Sequence, residues 1–145
     1  MEYPKAKKKK KAVSDSRLGT LWRQAAKAYW PRNSEYFNIY LQFVKAGAPE
    51  GGDIECHHII KRRYFPTRWD YRNGFPIPHD MHMWIEAHPM VVSAIFANRH
   101  PFYDYLCERQ GQLKPDFLRG LGLSENEYRI SIKKELTDIV KSCSM

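Results

Sequence analysis

The sequence predicts one α+β domain in which a small two-stranded sheet is flanked by N- and C-terminal helices. Three observations predict it: apolar residues recur at helical spacing near both ends, a stretch with β-branched residues at both its ends follows a glycine-rich turn between them, and a second short extended run follows an Asn-Gly turn. With 145 residues and 43% hydrophobic content, the chain can build one core but not two comfortable ones. An aromatic share of 14% supplies buried area, so that core need not depend on cross-links.

The elements follow in order. In "SDSRLGTLWRQAAKAYWP", Ser14 to Ser16 offer cap residues and Leu18, Leu21, Trp22, Ala25 and Tyr29 keep helical spacing until Pro31 ends the run. "NSEYFNIYLQFVKAG" predicts a second helix with Ser34 as cap, Phe37, Tyr40, Leu41 and Val44 on one face and Gly47 at its stop, although its β-forming aromatics also suit a strand. "APEGGD" is a turn, and "IECHHII" reads as the first strand. From Lys61 to Arg72 no period survives and Pro66 interrupts, which predicts a long loop. "NGFPIP" is a turn leading into the second strand. "HDMHMWIEAH" fits a helix with Met81, Trp84, Ile85 and His88 on one stripe and His79, His82 and Glu86 on another. The rest is helical, with a break at Pro115, a capping box from Ser124 to Glu127, and a last helix burying Tyr128, Ile132, Leu136 and Ile139 or Val140. The expected organisation is a disordered basic tail over 1–13 and a single domain over 14–145, with the sheet-and-helix core at about 53–88 and a helical part over 89–143.

Composition excludes several classes. Cys56, Cys107 and Cys143 are odd in number, far apart and without a CxxC pair, which argues against a disulfide framework and a cysteine-built zinc knuckle. The opening "MEYPKAKKKKKA" has no apolar stretch behind its charges, so neither a signal peptide nor a membrane span is predicted, and the expected location is the cytoplasm. Of the formal net charge of +8, residues 1–12 carry +5, from six lysines against Glu2. Such a run would release counterions from nucleic acid without reading sequence, and it would serve equally as a solubilising tail.

A second concentration of charge coincides with candidate chemistry. Residues 55–86 hold four of the six histidines, and Lys61, Arg62, Arg63, Arg68 and Arg72 face only Asp70, a formal +4 between His57 and Asn73. Strand, loop, strand and helix bring a histidine pair and a helical histidine to one point, which suits a divalent metal. A bound cation can neutralise a phosphate oxygen and a leaving oxygen while a nearby base activates water. Adjacent strand residues point to opposite faces, so His57 and His58 should hold different jobs, one as ligand and one as base, with some local twist of the strand needed to bring both into one cleft.

These residues resemble a family. "ECHHII", then Asn73, then His82 nine residues later resembles the HNH endonucleases of the ββα-metal superfamily. The resemblance implies a ββα-metal core in which His57 and His82 ligate one divalent ion, His58 is the general base, and Asn73 holds the loop and orients that base. The third ligand falls at Glu86, where many members have histidine; Glu86 also reads as a surface carboxylate or an arginine's partner. A carboxylate suits Mg2+ or Mn2+, while imidazole also admits Zn2+ or Ni2+. Within the superfamily, "HIIKRRYFPTRWDYRNGFPIP" is similar to the phage NinG recombination proteins, without their cysteine pairs, so packing of flanking helices must hold the core.

The implied activity is metal-dependent hydrolysis of DNA phosphodiesters with little sequence specificity, leaving a 5′-phosphate, on branched or single-stranded recombination intermediates in a bacterial or phage-infected cell. Arg62, Arg63 and Arg68, with Lys61 and Arg72 beside them, would grip phosphates, which positions a strand without reading bases. Tyr64, Phe65 and Trp69 could stack on unpaired bases, although Phe65 and Trp69 read more simply as loop anchors. Two alternatives remain: a non-catalytic nucleic-acid-binding module with a structural metal, and an RNA-cutting or toxin nuclease using the same residues. A homodimer would suit a junction with two cuts. His88 and His100 read as satisfied core residues, His79 as an intermediate at the helix start, and Trp84, Met81 and Ile85 as core.

Overall fold

The computed structural model describes residues 13–143. The lysine run over 1–12 lies outside the described residues. Val13 is partly buried, and its carbonyl accepts a hydrogen bond from Arg129 Nη1 at 3.0 Å. Helix α1 (Asp15–Tyr29) starts where Ser14 Oγ accepts from the Arg17 N–H at 3.1 Å, and it buries Leu18, Leu21, Trp22, Ala25 and Ala26. A 3₁₀ turn over Trp30–Arg32 carries Pro31 and ends the run. Within α1, Gly19 stands where glycine costs ~1 kcal/mol relative to alanine. A Cβ there would meet nothing closer than an Arg23 guanidinium nitrogen at 3.6 Å.

The second aromatic run is helix α2 (Tyr36–Lys45), and its buried face differs from the expected one. Tyr36, Ile39 and Phe43 point inward, while Phe37 is 64% and Leu41 46% exposed. The reason is a tertiary anchor, since the Tyr36 hydroxyl donates to the Pro76 carbonyl at 2.6 Å and turns that stripe toward the sheet. Ser34 is not the cap; Glu35 occupies the cap position, and its N–H donates to Asn33 Oδ1 at 2.9 Å.

Strands β1 (Ile54–His58) and β2 (Gly74–Pro78) pair antiparallel, with His57 opposite Phe75 and His58 opposite Gly74. The connection contains two 3₁₀ turns, Phe65–Thr67 and Tyr71–Asn73, which the sequence pattern did not reveal. Helix α3 (His79–Ala87) follows β2 directly. Then come α4 (Pro89–Arg99), α5 (Tyr103–Gln110), α6 (Lys114–Leu121) and α7 (Glu125–Cys143). Pro115 begins α6 rather than breaking it, because the first turn of a helix needs no donor at that position. The Ser124–Glu127 capping box forms reciprocally, both bonds at 3.1 Å, and α7 buries Tyr128, Ile132 and Leu136.

The architecture is thus mostly helical α+β, with a two-stranded antiparallel sheet followed by a helix. Phe75 sits at the centre, its ring 5.0 Å from Tyr36, 5.3 Å from Phe96 and 5.4 Å from Trp30. β2 is buried along its whole length. Helix α1 lies over the sheet and is tied to α7 by an Asp15–Arg129 pair at 2.6 Å. Packing from α1, α2 and α4 therefore holds the two strands, as a pair of strands alone could not. Among the described residues no helix is long and apolar enough to cross a membrane.

Candidate metal centre

On β1 the side chain of His57 faces α3 and α4, its ring 5.3 Å from His82 and 6.2 Å from Phe96. On α3, His82 and Glu86 are four residues apart and share one helix face. The three meet: Glu86 Oε1 lies 3.2 Å from His57 Nδ1 and 3.4 Å from His82 Nε2. In a four-coordinate centre with bonds of about 2.1 Å, neighbouring ligand atoms lie roughly 3.4 Å apart. His57 Nδ1 is buried and has no hydrogen-bond partner despite that short approach, the state of a nitrogen aimed at something other than a proton donor. Burial, with His82 adding to it, pushes the His57 pKa down to about 3, so the ring is neutral and its lone pair available at pH 7. His57, His82 and Glu86 could together hold a metal ion. Three protein donors would leave at least one coordination position for a further ligand. Glu86, read from sequence as ligand, surface carboxylate or arginine partner, lies against the two imidazoles.

One participant escaped the sequence reading. Glu55 Oε1 lies 3.3 Å from His82 Nδ1 and 2.7 Å from His79 Nδ1. These bonds hold the Glu55 carboxyl below its ordinary pKa, that to His79 foremost. By engaging Nδ1 of His82, Glu55 leaves Nε2 for the Glu86 side, as partners of metal-bound histidines do. The signal was present, because Glu55 and His57 are two apart on a strand and share a face. His79 opens α3 and acts as a partner of Glu55.

His58 faces the other way. Its ring stacks on Trp22 of α1, with centroids 3.9 Å apart and planes at 12°. Its Nε2 lies 3.2 Å from the Arg68 carbonyl, which can only accept, so Nε2 carries the hydrogen and Nδ1 keeps the lone pair. Burial pushes its pKa down to about 4, against a raising effect from that carbonyl. Trp22 reaches this place because the opposite residue is Gly74, where a Cβ would lie 2.7 Å from Trp22 Cζ2, and because its Nε1 donates to the Asp70 carbonyl at 2.7 Å. Although they occupy opposite faces of β1, His57 and His58 both line one cleft of about 440 Å³ with Lys61, Arg62, His82 and Glu86.

Asn73 is fully buried and closes the loop. Its Nδ2 donates to the carbonyls of Ile60 at 2.9 Å and Thr67 at 3.1 Å, and its Oδ1 accepts from the Ile60 N–H at 2.7 Å. It forms no hydrogen bond with His58. Its bond to the Thr67 carbonyl fixes the backbone one residue before the Arg68 carbonyl that His58 contacts.

The five cations separate. Lys61 and Arg62 line the cleft. Arg68 pairs with Asp15 at 3.3 Å. Arg63 lies over the Tyr64 ring, 5.0 Å from its centroid, and lines neither cleft at His58. Arg72 is held by both Asp70 oxygens at 2.9 and 2.8 Å and lies 4.2 Å from the Tyr105 centroid, so its charge serves the fold. Phe65 packs on Trp69, Phe117 and Tyr128, and Trp69 is buried, as expected of loop anchors. His88 differs from expectation. It is exposed and stacks on a half-buried Trp84 at 4.3 Å, because α3 ends there and Pro89 starts the next helix. His100 is buried with both nitrogens engaged, by the Phe102 N–H and the Arg72 carbonyl, each at 3.0 Å.

No family model matches the chain, and neither a curated protein nor a solved structure does so.

Proposed function

We propose that this chain is a metal-dependent phosphodiesterase of the HNH type, its β1–β2–α3 unit serving as the ββα-metal core, and that it cleaves DNA strands with little sequence preference. The observation that carries the reading is the unbonded, buried Nδ1 of His57 beside His82 and Glu86, with a second histidine on the same cleft that the metal group does not use. A non-catalytic metal module has no need of His58 held in one tautomer. A divalent ion held there, Mg2+ or Mn2+ foremost and Zn2+ or Ni2+ by the same donors, would neutralise charge on the phosphate and departing oxygen.

The chain's own residues do the rest. His58 accepts a proton from the attacking water at Nδ1, while its Nε2–H stays on the Arg68 carbonyl. A phosphate in the cleft places an anion beside the ring and raises its basicity. Lys61 and Arg62 hold the strand by its phosphates, which gives position without sequence readout. The similarity of the "TRWDYRN" run to the phage NinG recombination proteins implies a substrate among branched or single-stranded recombination intermediates.

The test is cleavage of branched, single-stranded and duplex DNA, and of RNA, with magnesium, manganese or no metal, beside His58→Ala. Metal-dependent cutting of DNA that falls ~10²–10⁴-fold in the variant, with binding retained, is the expected outcome. Binding without cutting under any metal would make the protein a binding module, and preferential cutting of RNA would move the substrate.

A further inference from the structure

A second cleft of about 340 Å³ opens on the α1 side of His58, walled by Gly19, Trp22 and Arg23 of that helix and by Arg62, Arg68 and Trp69 of the loop. His58 and Arg62 line both clefts, so the second continues the path of the first. Three guanidiniums face it against one carboxylate, Asp15. That carboxylate is already engaged by Arg129 at 2.6 Å and by Arg68 at 3.3 Å. Arg68 and Arg129 lie over the Trp69 ring, 5.0 and 4.8 Å from its centroid, so Arg68 is held in place before any ligand arrives. Preorganised guanidinium donors are the usual recognition group for phosphate.

Gly19 adds an independent argument. The fold gives no reason for it, since it is helical and a Cβ would have room. Its missing side chain keeps the wall of the cleft open one helical turn before Trp22. The volume is at the low end of ligand sites, which run from ~300 to 1,000 Å³, and suits one nucleotide unit rather than a larger body.

We infer that this second cleft is a phosphodiester subsite, holding through Arg23, Arg62 and Arg68 a backbone unit of the DNA strand that neighbours the one at the metal centre. The inference rests on the nuclease reading and gives it a direction, with the strand crossing β1 past His58 from the α3 side to the α1 side.

The experiment measures binding of a short fluorescently labelled single-stranded DNA across a salt series, and cleavage with manganese, for the full chain and for Gly19→Leu, Arg68→Gln and Arg99→Gln. Arg99 is an exposed cation of α4 that lines neither cleft, and the lysine run is present in every variant. Gly19→Leu removes no charge, and thermal unfolding identifies any variant that fails to fold. We expect Gly19→Leu and Arg68→Gln each to weaken binding about tenfold, Arg68→Gln also lowering the salt slope by about one, with manganese affinity unchanged. Arg99→Gln should change little. Wild-type affinity in Gly19→Leu, or an equal loss in Arg99→Gln, overturns the subsite. Cleavage that persists undiminished in Gly19→Leu sinks the subsite and leaves the nuclease standing. Weakened binding in a protein that never cuts does the reverse. A full chain that binds no DNA overturns both.

Discussion

His57 and His58 are consecutive on β1, yet one turns toward α3 with a buried, unbonded nitrogen and the other toward α1 with its ring on Trp22 and its Nε2 on a backbone carbonyl. On the His57 side the neighbours are Glu55, His82 and Glu86, all from the same strand or the helix that follows the sheet. On the His58 side they come from a helix far back in the chain and from the loop that Asn73 closes. The difference teaches that neighbouring residues on opposite faces of a strand can line one cleft, provided the cleft runs past the strand's edge and reaches both faces. It also separates what each side holds. On the His57 side stand carboxylate and imidazole donors with a partner that orients them; on the His58 side stand walls.

Removing Asn73 should break the His58 side most severely. Asn73→Ala strips the Ile60 N–H and carbonyl of their partners and takes from the Thr67 carbonyl one of its two donors, the other being the Asp70 N–H; it should cost ~2–5 kcal/mol in denaturant unfolding, given ~1–3 kcal/mol for each orphaned group. The folded fraction should still bind manganese while cutting poorly; equal loss of both would mean that the two sides are not separable.

His100 supplies a control for what a satisfied buried histidine does. Its Nδ1 accepts from the Phe102 N–H, so protonation would set two donors against each other, and burial holds its pKa at about 4. The unfolded chain takes up this proton near pH 6.5 while the folded chain resists until about 4. Stability from this group is therefore intact above that window and falls as pH drops through it, by ~1.4 kcal/mol per unit and about 3 kcal/mol in all. His100→Gln should flatten the stability–pH slope by about one proton between those limits. An unchanged slope would show that the ring is not held neutral.

Glu55→Ala sharpens the His57 side. Loss of the carboxylate that orients His82 should weaken manganese or zinc affinity about 10- to 100-fold in calorimetric titration. Unchanged affinity would restrict Glu55 to anchoring His79. Gly74→Ala is the smallest change proposed. The new methyl must displace Trp22 and with it the stacking on His58, at a cost of ~1–3 kcal/mol in thermal unfolding. Cutting should fall and metal affinity hold. A variant with full stability and full cutting would mean that Trp22 does not set the His58 ring.

How much of this was legible follows from which residues touch. The strand, turn, strand and helix between Glu55 and Glu86 could be read because their relations are local: alternate residues share a strand face and residues four apart share a helix face. So His79, His82 and Glu86 could be placed on one helix stripe from spacing, while His57, His82 and Glu86 as one ligand set came from the family resemblance. The same reasoning went astray at α2, where two apolar stripes competed and a hydroxyl bond to the Pro76 carbonyl chose between them. It also could not separate Arg72, consumed by Asp70 and Tyr105, from Arg62 and Arg68 on the clefts.

By itself, then, the sequence determined the helices, the paired strands, the position of the histidines on them and the coincidence of positive charge with that segment. Only the tertiary structure decided that Trp22 walls His58, that Asp15 and Arg129 hold Arg68 over Trp69, and that Asn73 bonds the Thr67 carbonyl rather than His58. The physical reason is that periodicity records which residues share a face. Which distant faces meet is set by the packing of the whole core, and no short repeat in the chain encodes that.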